Sequence, residues 1–186
     1  MRFTPTAIDG CLLVDLDPRG DDRGFLARAH CRRELSAEGL EPHVEQINLA
    51  HTRHAGTVRG LHYQVPPWSE AKLVRCVRGA VFDVAVDVRE ESPTFLQHIA
   101  VELSADNRRA LFVSAGLAHG YQAVTDDAEL LYTTSAAYTP AAERGLHYGD
   151  SRLGIEWPMP AGHVSAKDQG WGLIGRGWSS DVTGVE

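Results

Sequence analysis

Cysteine is scarce in this chain of 186 residues: Cys11, Cys31 and Cys76 are the only three, and no two form a C-x-x-C pair. An odd, scattered set argues against a disulfide framework and for a reducing cytoplasm. Long apolar runs are also missing. None approaches the roughly 20 residues of a transmembrane helix, and Met1-Arg2-Phe3-Thr4-Pro5 lacks the charged-then-apolar pattern of a signal peptide. Nor is there a basic surplus: 18 Lys and Arg against 25 Asp and Glu give a formal charge of −7. That argues against a nucleic-acid or anionic-membrane binder, although a local basic pocket remains compatible with it. Helical periodicity is nearly absent, with only Arg32 to Gly39 and a turn near Pro140 to Arg144 reading as helical.

Short strands fill the space left by helices. In Ala80 to Val88, Phe82, Val84, Val86 and Val88 alternate with Val81, Asp83, Ala85 and Asp87, the period of two of a β-strand. The first set belongs in a core; the second suits either the wall of a polar cavity or a solvent-facing side. Comparable segments run over Cys11 to Leu16, Val44 to Thr52, Thr57 to Tyr63, Lys72 to Val77, Phe95 to Leu103, Arg109 to Val113, Gly120 to Val124 and Glu129 to Thr134. Turn residues such as Arg78-Gly79 and Thr125-Asp126-Asp127 separate them. Many short strands at near-regular spacing predict an all-β sandwich or barrel. The expected layout is one domain over residues 1–169. A glycine-rich tail over 170–186 follows, with Trp171 or Trp178 docking onto the body or a partner subunit.

Chemistry concentrates in Val58-Arg59-Gly60-Leu61-His62-Tyr63-Gln64 and in Lys72, ten residues after His62. An imidazole can take a proton near neutral pH, while a guanidinium and an ammonium can hold negative charge. The combination suits proton removal from carbon beside a carbonyl in an anionic substrate. A usable base needs a partner that fixes its tautomer, and Asp83 and Asp168 are both available. Tyr132 and Tyr138 are phenols that could return a proton from the opposite side. His119 adds a second histidine, and two strand histidines also admit a metal-dependent enzyme, although no third ligand stands at metal-site spacing.

Together these segments resemble the dTDP-4-dehydrorhamnose 3,5-epimerase family of cupin-type sugar-nucleotide epimerases, over about Asp21 to Asp168. The markers are Asp22-Arg23-Gly24-Phe25, the heptapeptide around His62, Lys72-Leu73-Val74-Arg75, Phe82 to Asp87, Glu102 to Asn107, Ala118-His119-Gly120, Glu156-Trp157-Pro158 and Ser165-Ala166-Lys167-Asp168. The resemblance implies a cupin-type jelly-roll barrel with short helices and an N-terminal extension. It further implies a homodimer with no metal and no redox cofactor, acting on a nucleotide-linked 4-keto-6-deoxy sugar at C3, C5 or both. By the same resemblance His62 is the base oriented by Asp168, Tyr132 the acid, and Lys72 the enolate stabiliser. Arg23, Gln46, Asn48, Arg59, His119, Glu143 and Lys167 would contact the nucleotide sugar, and Tyr138 would stack on the base. The chain departs from the family's usual residues at Arg28, Ile47, Ala50 and Thr133. This suggests a changed nucleotide-facing rim and leaves open the base (thymine, cytosine or guanine), the exact sugar and whether C3, C5 or both are inverted. A metal-dependent cupin using His62 and His119 and a non-catalytic sugar-nucleotide binder are the competing readings.

Overall fold

The computed structural model describes residues 1–175, 178 and 180. In chain order it forms β1 (Arg2–Pro5), β2 (Cys11–Asp15), β3 (Arg19–Asp21), β4 (Gly24–Leu26), α1 (Arg32–Ala37), β5 (Gln46–Thr52), β6 (Val58–Gln64) and β7 (Lys72–Arg78). These are followed by β8 (Ala80–Asp87), β9 (His98–Ser104), β10 (Ala110–Val113), β11 (Leu117–Ala123), β12 (Ala128–Thr134), β13 (Glu143–Gly145) and α2 (Ala166–Gln169). Two antiparallel sheets face each other, in orders β1-β2-β10-β7-β12-β5 and β13-β6-β11-β8-β9, while β3 and β4 form a separate hairpin. The non-sequential strand order is that of a cupin-type jelly roll, the expected fold class.

Three apolar layers hold the sheets. Val74, Cys76, Leu111 and Leu130 of the first sheet meet Val81, Ala85, Leu103 and Tyr121 of the second. The outer face of the second sheet, including Leu61, Val84 and Val86, is covered by Leu146, Leu153 and Ile174 from the later loops. The outer face of the first sheet packs Val14, Leu73 and Phe112 against Leu35 of α1. Strand β8 is therefore buried on both faces, which corrects the choice between cavity wall and solvent for its second face. Val81 and Ala85 of that face join the core between the sheets, whereas Asp87 lies at the strand's end.

Asp87 is fully buried and accepts bonds from Arg89 Nε at 2.8 Å, Ser92 Oγ at 2.6 Å and Thr94 Oγ1 at 2.7 Å. Burial alone would raise its pKa, but these donors outweigh burial and hold it at about 2. A depressed carboxyl stabilises the fold at pH above its unfolded value near 4, and the contribution fades as pH falls toward 2. Asp87→Asn is accordingly expected to cost about 2 kcal/mol at neutral pH. The difference in urea midpoint between variant and parent should shrink as the pH approaches 2; a constant difference would contradict this account.

Strands β6 and β11 approach unusually closely. A Cβ at Gly60, where φ is +117°, would lie 2.6 Å from Gly120 Cα, and one at Gly120 would lie 2.6 Å from Arg59 O. The strand pairing shifts register between His119 and Tyr121 at this point. The two glycines thus let the histidine-bearing strands lie against each other.

The described residues from 170 onward dock on their own chain. The rings of Trp178 and Phe95 lie 6.1 Å apart, and Tyr63 Oη donates to the Ser180 carbonyl at 2.8 Å. The rest of the predicted tail, residues 176, 177, 179 and 181–186, lies outside the described residues.

Candidate active site

A cavity of about 1180 Å³ opens between the sheets, and both contribute to its wall. Strand β6 brings His62 and Arg59 from one sheet. From the other, β7 brings Lys72, β12 brings Tyr132, and β5 brings Gln46 and Asn48. The alternation that buries Val74 and Leu130 in the core also directs Lys72 and Tyr132, two residues away on their strands, to the same side.

His62 Nε2 stands 2.6 Å from Asp168 Oδ1. Asp168 is held by a local device: Ser165 caps α2, its hydroxyl accepting from the Asp168 N–H at 3.0 Å, so the carboxylate sits in the first helical turn. Burial acts to raise the Asp168 pKa, but the bond to His62 prevails and holds it below the usual aspartate range. An ionised carboxylate only accepts, so Nε2–H is the donor, which in the neutral ring leaves the lone pair on Nδ1. The other face of the imidazole environment is set by Trp171, whose indole meets it edge-on at 6.3 Å between ring centres. The indole uses space that Gly145, directly across from His62 in β13, leaves open.

Asp83, the other carboxylate candidate for His62, pairs instead with His119, Oδ1 to Nε2 at 2.9 Å. His119 lies beside His62 across the β6–β11 ladder. Each imidazole therefore has its Nε2 engaged by its own aspartate, and among the described residues no cluster of three metal-ligating side chains forms.

Lys72 is buried, where a strand-start lysine is ordinarily solvated. Its Nζ lies 3.0 Å from Glu70 Oε1 and donates to the His62 carbonyl at 3.3 Å. At the rim, Tyr138 is half exposed. Its hydroxyl donates to Glu143 Oε2 at 2.8 Å, and Lys167 Nζ donates to Glu143 Oε1 at 2.8 Å. Burial works to raise the Glu143 pKa, yet the bonds from Lys167 and Tyr138 carry it downward. Arg59 Nε donates to Thr52 Oγ1 at 3.2 Å, which aims its guanidinium along the wall.

Eleven of the twelve expected site residues thus line one cavity: His62, Lys72, Tyr132 and Asp168; Gln46, Asn48 and Arg59; and His119, Tyr138, Glu143 and Lys167. Arg23 does not join them. It lies on the β3–β4 hairpin with its side chain 89% exposed. There Asp21 accepts from both its backbone N–H at 2.9 Å and its Nε at 3.1 Å. Most of the departures from the family pattern lie outside this cavity. Ile47 is 66% exposed on the outer face of β5, Thr133 falls on the corresponding outer face of β12, and Arg28 pairs with Glu34 at 2.9 Å. Of these four, only Ala50 faces the cavity.

Sequence reasoning missed Glu70 and the anchoring role of Gln64. The latter is buried, and its side chain donates to Trp68 O at 2.9 Å and Ala137 O at 3.2 Å while accepting from the Thr139 N–H. It ties the Tyr138 loop to β6. A polar residue at an inward position of a strand was the available signal for it.

A family model for dTDP-4-dehydrorhamnose 3,5-epimerase matches residues 5–175. The dTDP-4-dehydrorhamnose 3,5-epimerase of Shigella flexneri is 40% identical over 169 residues, covering 90% of this chain and 93% of the relative. The dTDP-4-dehydrorhamnose 3-epimerase of Streptomyces niveus is 41% identical over 170 residues, covering 91% and 82%. Among solved structures, the dTDP-6-deoxy-D-glucose-3,5-epimerase of Legionella pneumophila, in complex with dTDP-4-keto-L-rhamnose, aligns with a TM-score of 0.86 at 35% identity. That alignment covers 92% of each chain.

Proposed function

The chain belongs to the dTDP-4-dehydrorhamnose 3,5-epimerase family. From that premise we propose that it is an isomerase that inverts C3, C5 or both in a dTDP-linked 4-keto-6-deoxyhexose. The observation that carries the reading is the placement of an aspartate-tethered imidazole and a phenol on opposite walls of one cavity. His62 Nδ1 takes the proton from the carbon beside the C4 ketone, and the electron pair moves onto the carbonyl oxygen as an enolate. Lys72 stabilises that oxygen, a contribution of about 3 kcal/mol for one preorganised donor in a water-poor site. Tyr132 then delivers its proton to the opposite face of the carbon, and solvent resets both groups.

Arg59 and Lys167 supply positive charge for the diphosphate. Gln46, Asn48 and His119 bind the sugar, and the half-exposed Tyr138 stacks on the base. Relatives that act at C3 and C5 and one named for C3 are equally similar to this chain, so the carbon is decided by experiment. With dTDP-4-keto-6-deoxyglucose in deuterated water, mass and NMR analysis should show deuterium at C3, C5 or both. No incorporation at either carbon, with thymidine, cytidine or guanosine diphosphate sugars alike, would sink the proposal.

The working unit is a homodimer. The outer face of the edge strand β5 carries Ile47 and Leu49, 66% and 65% exposed, next to exposed Leu131. Such an apolar strip at an open sheet edge favours a partner. A sedimentation mass of one chain would contradict it. The free cysteines suit a cytoplasmic setting.

A further inference from the structure

One hydrogen bond does not fix the plane of an imidazole. Asp168 holds His62 at Nε2, and about that point the ring can still rock, swinging Nδ1 off its line to the substrate. A reacting atom misplaced by about 1 Å can cost about 10²-fold in rate, so a second contact on the ring matters. Trp171 supplies one: its indole stands 6.3 Å from the imidazole between ring centres, with 63° between the planes.

The space for that indole is built into β13. Gly145 pairs directly with His62, and directly opposed residues of an antiparallel pair place their side chains on the same face. A Cβ at Gly145 would overlap Cε2, Nε1 and Cδ2 of the indole. The backbone itself does not call for glycine there, since φ of Gly145 lies outside the left-handed region. Glycine inside a strand weakens it; here it makes room for the ring. The indole Nε1–H is buried and meets no acceptor among the described residues, so contact, not a hydrogen bond, seats the ring.

The same stretch of chain carries both partners of the imidazole. Asp168 lies in α2, whose closing Gly170 N–H is shared between the Ala166 and Lys167 carbonyls, 3.0 Å from each. Trp171 follows at once. Three residues on, Ile174 is buried in the outer layer with Leu146 and Leu153, and its N–H donates to the buried Asp150 Oδ2 at 2.5 Å. Between Trp171 and Ile174 the chain thus rounds β13, the edge strand of its sheet, and is pinned on either side of it.

We propose that Trp171 is a positioning residue: seated in the gap at Gly145, it fixes the plane of the His62 imidazole and so the aim of Nδ1. The inference rests on the reading of His62 as the base. Trp171 is not among the residues that line the cavity, so it acts on turnover through His62 and not on substrate binding.

The test follows deuterium exchange and net inversion in Trp171→Ala, Trp171→Phe, Gly145→Ala and the double variant Trp171→Ala/Gly145→Ala. Both reactions need the base. In Trp171→Ala, kcat for both should therefore fall together by about 10- to 10²-fold, with KM within about twofold of the parent. Trp171→Phe keeps a ring and loses only an unpartnered N–H, and should recover most of the rate. Gly145→Ala should match Trp171→Ala, because its methyl displaces the indole, and should add nothing in the Trp171→Ala background. NMR of the free protein gives a readout independent of turnover: the ring-current shift of the His62 ring protons should vanish in Trp171→Ala and Gly145→Ala alike. Losses that multiply in the double variant would overturn the inference, as would Trp171→Phe as slow as Trp171→Ala, a raised KM at parental kcat, or unmoved His62 resonances. Parental exchange in Trp171→Ala with exchange lost in His62→Ala overturns this inference alone, whereas exchange that persists in His62→Ala overturns the reading of the base.

Discussion

His62→Ala protein is expected to wash no measurable deuterium into C3 or C5, a fall of at least about 10²–10⁴-fold from the parent. The size of the effect follows from how completely the site commits to this imidazole. Asp168 holds Nε2 at 2.6 Å, and Trp171 confines the ring from the side of β13. The neighbouring His119 is held by its own aspartate, Asp83, and serves the sugar in the proposed reading. Glu143 is engaged by Lys167 and Tyr138, and Glu70 by Lys72. Millimolar imidazole added to the alanine variant should restore part of the exchange, since the missing piece is a base and a space for it. Residual exchange within a few-fold of the parent would remove His62 from the role assigned to it.

Tyr132→Phe is expected to separate two reactions that the parent performs together. Proton removal by His62 and enolate stabilisation by Lys72 remain, so deuterium should still enter the substrate with retained configuration. Net inversion should fall by about 10²–10³-fold, because the donor on the opposite wall is gone. Tyr132 and His62 come from different sheets, so removing the hydroxyl leaves the imidazole and its aspartate in place. Measuring label and configuration in the same product sample decides the matter. Equal losses of exchange and inversion would contradict the assignment of the acid.

Much of this was legible in the chain itself, and the failures share physical causes. Strands β6 to β12 announce themselves because each has at least one face in an apolar layer, whereas β5 alternates with its apolar side, Ile47 and Leu49, outward. Strand β1 (Arg2–Pro5) escapes because it is a largely exposed edge strand carrying a proline. Strand β13 escapes because three residues are too few for a period to register. Ser165-Ala166-Lys167-Asp168 carries a capping signal for α2, but a single helical turn has no periodicity to reinforce it. The partner of His62 could not be chosen from local pattern at all. Asp83 alternates on a strong strand and Asp168 does not, yet the sheet brings Asp83 to His119 and the one-turn helix α2, far along the chain, delivers Asp168. Ile47 and Thr133 stand out as departures from a family pattern, and only the pleat reveals that both point away from the cavity.

The division of base and acid between two sheets makes the thickness of the apolar layer a chemical quantity. The sheets of such a sandwich stand about 10 Å apart, a spacing set by the side chains that interdigitate between them. Val74 lies two residues beyond Lys72 and Leu130 two residues before Tyr132, both in that layer. They act as spacers that fix how far a proton acceptor on one wall stands from a proton donor on the other. A methylene gained or lost there would be felt twice, once as packing and once as the gap a carbon atom must bridge between two proton-transfer partners.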